Sequence, residues 1–144
     1  MKIRERNQWL SGYFHQTYHD DMDRRAVILY AHGARDPRWA EPFERLLARL
    51  REKRPELPAA LAYLDYLQPD LKSAAQALAA QGISAIRIVP LFFGRGGHLR
   101  EDFPRQMKAV QAALPQVKFE IVEAAGEAPN VLDVLADFAL AGME

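Results

Sequence analysis

An α/β fold, a three-layer αβα sandwich around a four-stranded parallel sheet, is predicted by three features of the chain. From Arg25 onward four short apolar segments alternate with four segments of helical periodicity, the pattern of consecutive βαβ units. The first and third apolar segments, residues 26–31 and 85–92, are apolar almost throughout, as strands covered on both faces require. Each runs into a glycine-containing loop with one histidine, His32 or His98.

The elements follow in order. Residues 26–31 (Ala-Val-Ile-Leu-Tyr-Ala) form a buried strand, and Asp36-Pro37 then supplies a cap with proline at the first helical position. Trp39, Phe43, Leu46, Leu47 and Leu50 make the core-facing stripe of the helix, and Pro42 fits it in the first turn, where its missing N–H costs nothing. Residues 59–67 form the second strand. Pro69-Asp70 opens a helix carrying Leu71, Ala74, Ala75 and Leu78, and Gly82 ends it. Residues 85–92 are the third strand, with Pro90 ending the regular ladder near Val89. Asp102-Phe103-Pro104 starts a helix that runs through Met107 and Val110 to Leu114, with Asp102, like Asp36, read as a cap. Residues 117–122 are the fourth strand, and residues 129–140 a last helix with Val131, Leu132, Leu135 and Phe138 toward the core. Residues 1–24 stand apart as a polar extension, leaving residues 25–144 as a single domain.

Composition narrows the function. The chain has 144 residues, 49% of them hydrophobic, with nineteen acidic and nineteen basic side chains. That is enough apolar material for a full core, and the balanced charge argues against a nucleic-acid partner. The chain has no cysteine, which excludes disulfides, thiolate metal sites, a cysteine nucleophile and cysteine-ligated clusters. Apolar runs fall far below the roughly 18 residues of a membrane span. Lys2, Arg4 and Arg6 precede no apolar signal core, so the expected location is cytoplasmic.

Ligands of open α/β sheets bind beyond the carboxyl ends of the strands. The polar residues expected there are His32 after the first strand, Asp65 near the end of the second, His98 after the third, and Glu123 and Glu127 after the fourth. Two imidazoles with a carboxylate suit a divalent first-row metal with open positions. A histidine in such a turn also serves as an ordinary loop hydrogen-bonder, so the argument rests on topological convergence. The density of Gly94, Gly96 and Gly97 suggests backbone that approaches a ligand. Other glycine-loop chemistries fit poorly: no phosphate-binding lysine motif is present, Gly94-x-Gly96 lacks the third fingerprint glycine, and Ser84 precedes a strand instead of following one. Ala31 stands where a histidine phosphatase carries arginine. His15 and His19 form an H-x-x-x-H pair in the extension, read as part of an ordinary polar segment.

In sequence order stand His32-Gly33-Ala34-Arg35-Asp36-Pro37, Asp65-x-x-x-Pro69, Val89-Pro90-Leu91-Phe92 and Gly97-His98-x-x-x-Asp102-x-Pro104. With these motifs residues 25–140 resemble the class II tetrapyrrole chelatases, specifically the short sirohydrochlorin cobaltochelatases of the CbiX type. The resemblance implies a chelatase-like sheet with flavodoxin-like winding. It implies a lyase inserting a divalent metal as substrate, cobalt ahead of iron or nickel, into sirohydrochlorin, a macrocycle bearing eight carboxylates, with no organic cofactor. The alternatives are a ferrochelatase for siroheme and a non-catalytic tetrapyrrole or metal carrier on the same fold. His32 and His98 become the metal-handling and catalytic pair, each as ligand, base or both. Asp65 becomes a third metal ligand, although the family commonly has glutamate there. Arg35, Arg95 and Arg100, with the N–H groups of Gly96 and Gly97, would hold the substrate carboxylates. Short members carry half of the long duplicated chelatases, so a homodimer is implied. The histidine-rich insert of the nickel enzymes is absent, which disfavours nickel.

Overall fold

The computed structural model describes residues 24–94 and 96–143, and for residues 97–100 the backbone alone. The expected extension, with His15 and His19, lies outside the described residues apart from Arg24.

Strand β1 (Arg25–Ala31) lies at the centre of the sheet, parallel to β2 (Ala59–Tyr63) on one side and β3 (Ala85–Pro90) on the other, with β4 (Lys118–Ile121) beyond β3. The order is β2-β1-β3-β4 and every pairing is parallel, with Leu29 opposite both Leu61 and Val89 and Ile88 opposite Ile121. The period of two along β1 divides its side chains between two layers. Ala26, Ile28 and Tyr30 pack with Leu71, Ala75 and Leu78 of α2 (Leu71–Ala80) and with Met107 and Val110 of α3 (Gly97–Ala113). Leu29 turns the other way and packs with Leu47 of α1 (Glu41–Lys53) and Ala59. Ile28, Tyr30 and Ile88 are fully buried, and each such side chain contributes roughly 1.5–3 kcal/mol of transfer free energy. The predicted αβα layering and strand direction are thus present.

Three element boundaries and the burial of one helix differ from the sequence reading. Asp36 does cap, accepting from the Arg38 N–H at 2.9 Å and from the Arg38 guanidinium, but it caps a 3-10 turn (Pro37–Ala40). Helix α1 begins after that turn, with Pro42 in its first turn as expected.

Strand β2 ends at Tyr63 instead of Leu67. Tyr66 takes the left-handed conformation (φ 65°), the Gln68–Pro69 peptide is cis, and the Tyr63 N–H turns to the Pro69 carbonyl.

Helix α3 begins at Gly97, capped by Gly96, so Asp102 is an interior residue and not a cap. Pro104 lies in the eighth position of that helix. A proline there removes one backbone hydrogen bond, which a helix can tolerate when the turns before it are held elsewhere.

The last helix, α4 (Pro129–Leu140), has no buried residue. Leu132, Leu135 and Phe138, expected in the core, are exposed. The 3-10 turn before it (Ala125–Glu127) is tied to the end of β3 by the Gly126 N–H to the Phe92 carbonyl (2.8 Å). The helix therefore departs from the carboxyl edge of the sheet without lying on it.

Candidate functional site

Strand order β2-β1-β3-β4 places a switch point between β1 and β3, because the connections from these two neighbours leave toward opposite layers. A crevice opens at their carboxyl ends. Ala31 is the last residue of β1, so His32 is the first residue past the ladder at this point.

The His32 ring packs against Phe92, the second residue after β3, with centroids 4.4 Å apart and planes at 65°. Phe92 is only 3% exposed and meets the buried Tyr30 edge-on at 5.7 Å. Tyr30 in turn packs on Phe103 of α3 at 5.3 Å, and its hydroxyl donates to Gln106 Oε1 on the same helix. Burial pushes the Tyr30 phenol well above its ordinary pKa, and the charges of Asp102 and Asp70 add to this, so it acts as a neutral donor. The aromatic column therefore joins the end of β1, the end of β3 and the helix whose first turn carries His98.

Backbone bonds close the loops around this column. The Leu64 N–H donates to the Ala31 carbonyl (2.8 Å) and the Asp65 N–H to the His32 carbonyl (3.0 Å), strapping the loop after β2 to the His32 loop. Gly33 permits the strap. Its φ is +81°, and a Cβ on it would lie 1.9 Å from the Asp65 carbonyl oxygen. On the other side Gly126 abuts Phe93 so closely that a Cβ would lie 2.1 Å from the Phe93 carbonyl oxygen.

The candidate residues fall into three groups. His32 and Arg35 are exposed on the first loop, and the Arg35 guanidinium carbon lies over the Tyr66 ring, 5.3 Å from its centroid. Asp65 is exposed beside them, its backbone strapped to His32, and its carboxylate accepts the Tyr66 N–H at 3.0 Å. Glu123 and Glu127 are exposed after β4. Gly96 and Gly97 stand at the start of α3, where helix N–H groups point outward. Arg95 and the side chains of His98 and Arg100 lie outside the described residues. Among the described residues no three histidine or carboxylate side chains are grouped closely enough to hold a metal.

Two features were not anticipated from sequence. The partnership of Phe92 with His32 is one, and the presentation of Tyr66 is the other. An aspartate-tyrosine pair shortly before Gln68-Pro69 hints at a turn, but nothing in the linear sequence pairs Tyr66 with Arg35.

A family model for CbiX matches residues 26–139. The chain belongs to the CbiX family. The sirohydrochlorin cobaltochelatase of Sulfurisphaera tokodaii is 29% identical over 111 residues, 77% of this chain and 88% of its own. A cobalamin-biosynthesis CbiX protein of Marinobacter aquaeolei VT8 superposes with a TM-score of 0.72 at 31% identity, covering 83% of this chain and 94% of that one. SirB of Bacillus subtilis with bound Fe3+ shares the fold at 20% identity and a TM-score of 0.67, and 45% of its length is matched. This CbiX-family chain thus matches most of the length of a short relative and about half of a long one.

Proposed function

We propose that this protein is a chelatase that inserts a divalent metal, cobalt in the first instance, into sirohydrochlorin in modified-tetrapyrrole biosynthesis. The observation carrying the reading is the position of His32, exposed at the switch point and backed by the Phe92–Tyr30–Phe103 column that also anchors the His98-bearing helix. In the reaction one divalent ion enters the ring and two pyrrole N–H protons leave. A neutral imidazole can ligate the ion or accept a proton, since its unperturbed pKa is near 6.5. His32 and His98 take these two tasks between them. Asp65, strapped beside His32, is the proposed third ligand. Arg35, Arg95 and Arg100, with the N–H groups of Gly96 and Gly97, take the substrate carboxylates. The ion is a substrate, and no organic cofactor is needed.

Iron is the second metal to consider, because the sirohydrochlorin ferrochelatase of Priestia megaterium is 24% identical over 124 residues. The product would then enter siroheme. A cytoplasmic setting accords with this reading, and no helix among the described residues is long and apolar enough to cross a membrane.

A homodimer is part of the proposal, and α4 supports it. Leu132, Val134, Leu135 and Phe138 are 38–79% exposed, together on the order of 400 Å² of apolar surface, within the range of the largest patch on a typical monomer. Asp133 and Asp137 lie on the helix face opposite Val131, Leu135 and Phe138, so two copies can meet through the stripe without opposing like charges. Two such faces together come to at most about 1,000 Å², so an interface of the standard size, roughly 1,600 Å², takes in surface beyond α4. A purified chain that sediments as a monomer at micromolar concentration contradicts the homodimer.

The activity is tested by mixing the protein anaerobically with sirohydrochlorin and cobaltous, ferrous or nickel ions and following the absorption spectrum. Insertion faster than the protein-free reaction, fastest with cobalt, is expected. Macrocycle binding without acceleration for any metal would instead favour a carrier.

A further inference from the structure

We propose that Tyr66, with Arg35 laid on its ring, is a substrate-contact residue that takes one face of the macrocycle and selects for a polycarboxylate. The proposal rests on the chelatase reading and adds a residue and a recognition chemistry to it.

Tyr66 is the only described residue other than glycine with positive φ (65°), a conformation costly for an aromatic L-residue. Local bonds hold it there: its own N–H donates to Asp65 Oδ1 at 3.0 Å, and the Leu67 N–H donates to the Asp65 carbonyl at 2.8 Å. The strap from the Asp65 N–H to the His32 carbonyl then fixes this turn against the metal-handling loop. The outcome is a tyrosine that is 59% exposed instead of packed in the core.

Packing alone does not account for such a ring, since a strained aromatic facing solvent gains little burial for its backbone cost. A binding role does. Arg35 covers one face of the ring at 5.3 Å, which leaves the other face for a flat π-system. It also holds the guanidinium fork ready for a peripheral carboxylate. Exposed aromatic side chains extend from two neighbouring connections at the same edge, Trp39 in the turn after β1 and Phe93 after β3. Planar aromatic ligands gain most on stacked or edge-on ring contacts of this kind.

The test uses the full chain and two metal-free fluorescent porphyrins, one with eight carboxylates (uroporphyrin) and one with four (coproporphyrin). Binding is read by fluorescence titration and thermal stability by circular dichroism. Tyr66→Gly relieves the positive φ, so its melting temperature holds or rises, while affinity for uroporphyrin falls about tenfold. Tyr66→Phe keeps the ring and retains wild-type affinity. Arg35→Leu narrows the preference for eight carboxylates over four. If wild type binds uroporphyrin and Tyr66→Gly binds it equally well, the assignment of Tyr66 is overturned while the chelatase reading stands. If wild type binds neither porphyrin, the chelatase reading fails and the proposal with it.

Discussion

Replacing Gly33 with alanine probes how firmly the His32 loop depends on its neighbour, and the chain contains its own control. Gly33 and Gly82 have nearly the same backbone angle, φ +81° and +89°. An L-residue in that region costs roughly 1–2 kcal/mol at either site. The surroundings differ. A Cβ on Gly82 meets nothing within 4 Å, whereas one on Gly33 falls 1.9 Å from the Asp65 carbonyl oxygen and 3.1 Å from its carbon. That oxygen belongs to the backbone, so the whole turn after β2 must retreat by more than an ångström. The retreat strains the bonds from Leu64 to Ala31 and from Asp65 to His32. Overpacking of this kind adds about 1–3 kcal/mol, and a weakened backbone hydrogen bond about 1 kcal/mol. Gly33→Ala should therefore cost about 3–6 kcal/mol and Gly82→Ala about 1–2 kcal/mol. At roughly 3 °C per kcal/mol for a chain of this size, urea unfolding and thermal melts separate the two readily. Equal destabilisation of the two variants refutes the strap as a structural constraint on the site.

Two further outcomes follow from the column and the caps. Phe92→Leu keeps most of the buried volume and should cost about 1 kcal/mol, but it removes the ring beside His32. The His32 imidazole proton resonances should then move in NMR spectra, and unchanged shifts contradict the contact. Asp70 caps α2 by accepting the Ser73 N–H at 2.8 Å, and the Ser73 hydroxyl together with that N–H holds its carboxyl below the ordinary aspartate value. Because the folded value is the lower one, the cap's contribution is fully present above the unfolded pKa of about 3.9 and is lost as pH falls through the folded value. Asp70→Ala should cost about 1 kcal/mol at pH 7, and the gap from wild type should close below pH 4. A gap that widens on acidification contradicts the assignment.

Much of the fold was legible because its signals are local. Apolar runs marked the strands, Asp36-Pro37 and Asp70 marked helix starts, and Pro42 fitted only a first turn, where it is found. The misreadings have physical causes too. Asp102-x-Pro104 imitates a cap and first turn, yet α3 has already begun at Gly97, and no local rule separates a tolerated interior proline from an initiating one. The stripe of α4 was read correctly as apolar and wrongly as core, since periodicity reports that a face is apolar and not whether this chain's own core covers it. At the site, His32 could be found by topology, because strand ends converge. Tyr66 could not, since its exposure and its contact with Arg35 arise from a strap between loops more than thirty residues apart.

The central claim is that His32 acts on the metal or on the ring protons, and one comparison tests it most directly. Wild type and His32→Ala are assayed side by side for anaerobic cobalt insertion into sirohydrochlorin, with circular dichroism and thermal melts showing that both are folded. A fall in rate of about 100-fold or more, the scale of a lost acid–base group, is the result predicted. A folded His32→Ala protein that inserts cobalt at the wild-type rate contradicts it.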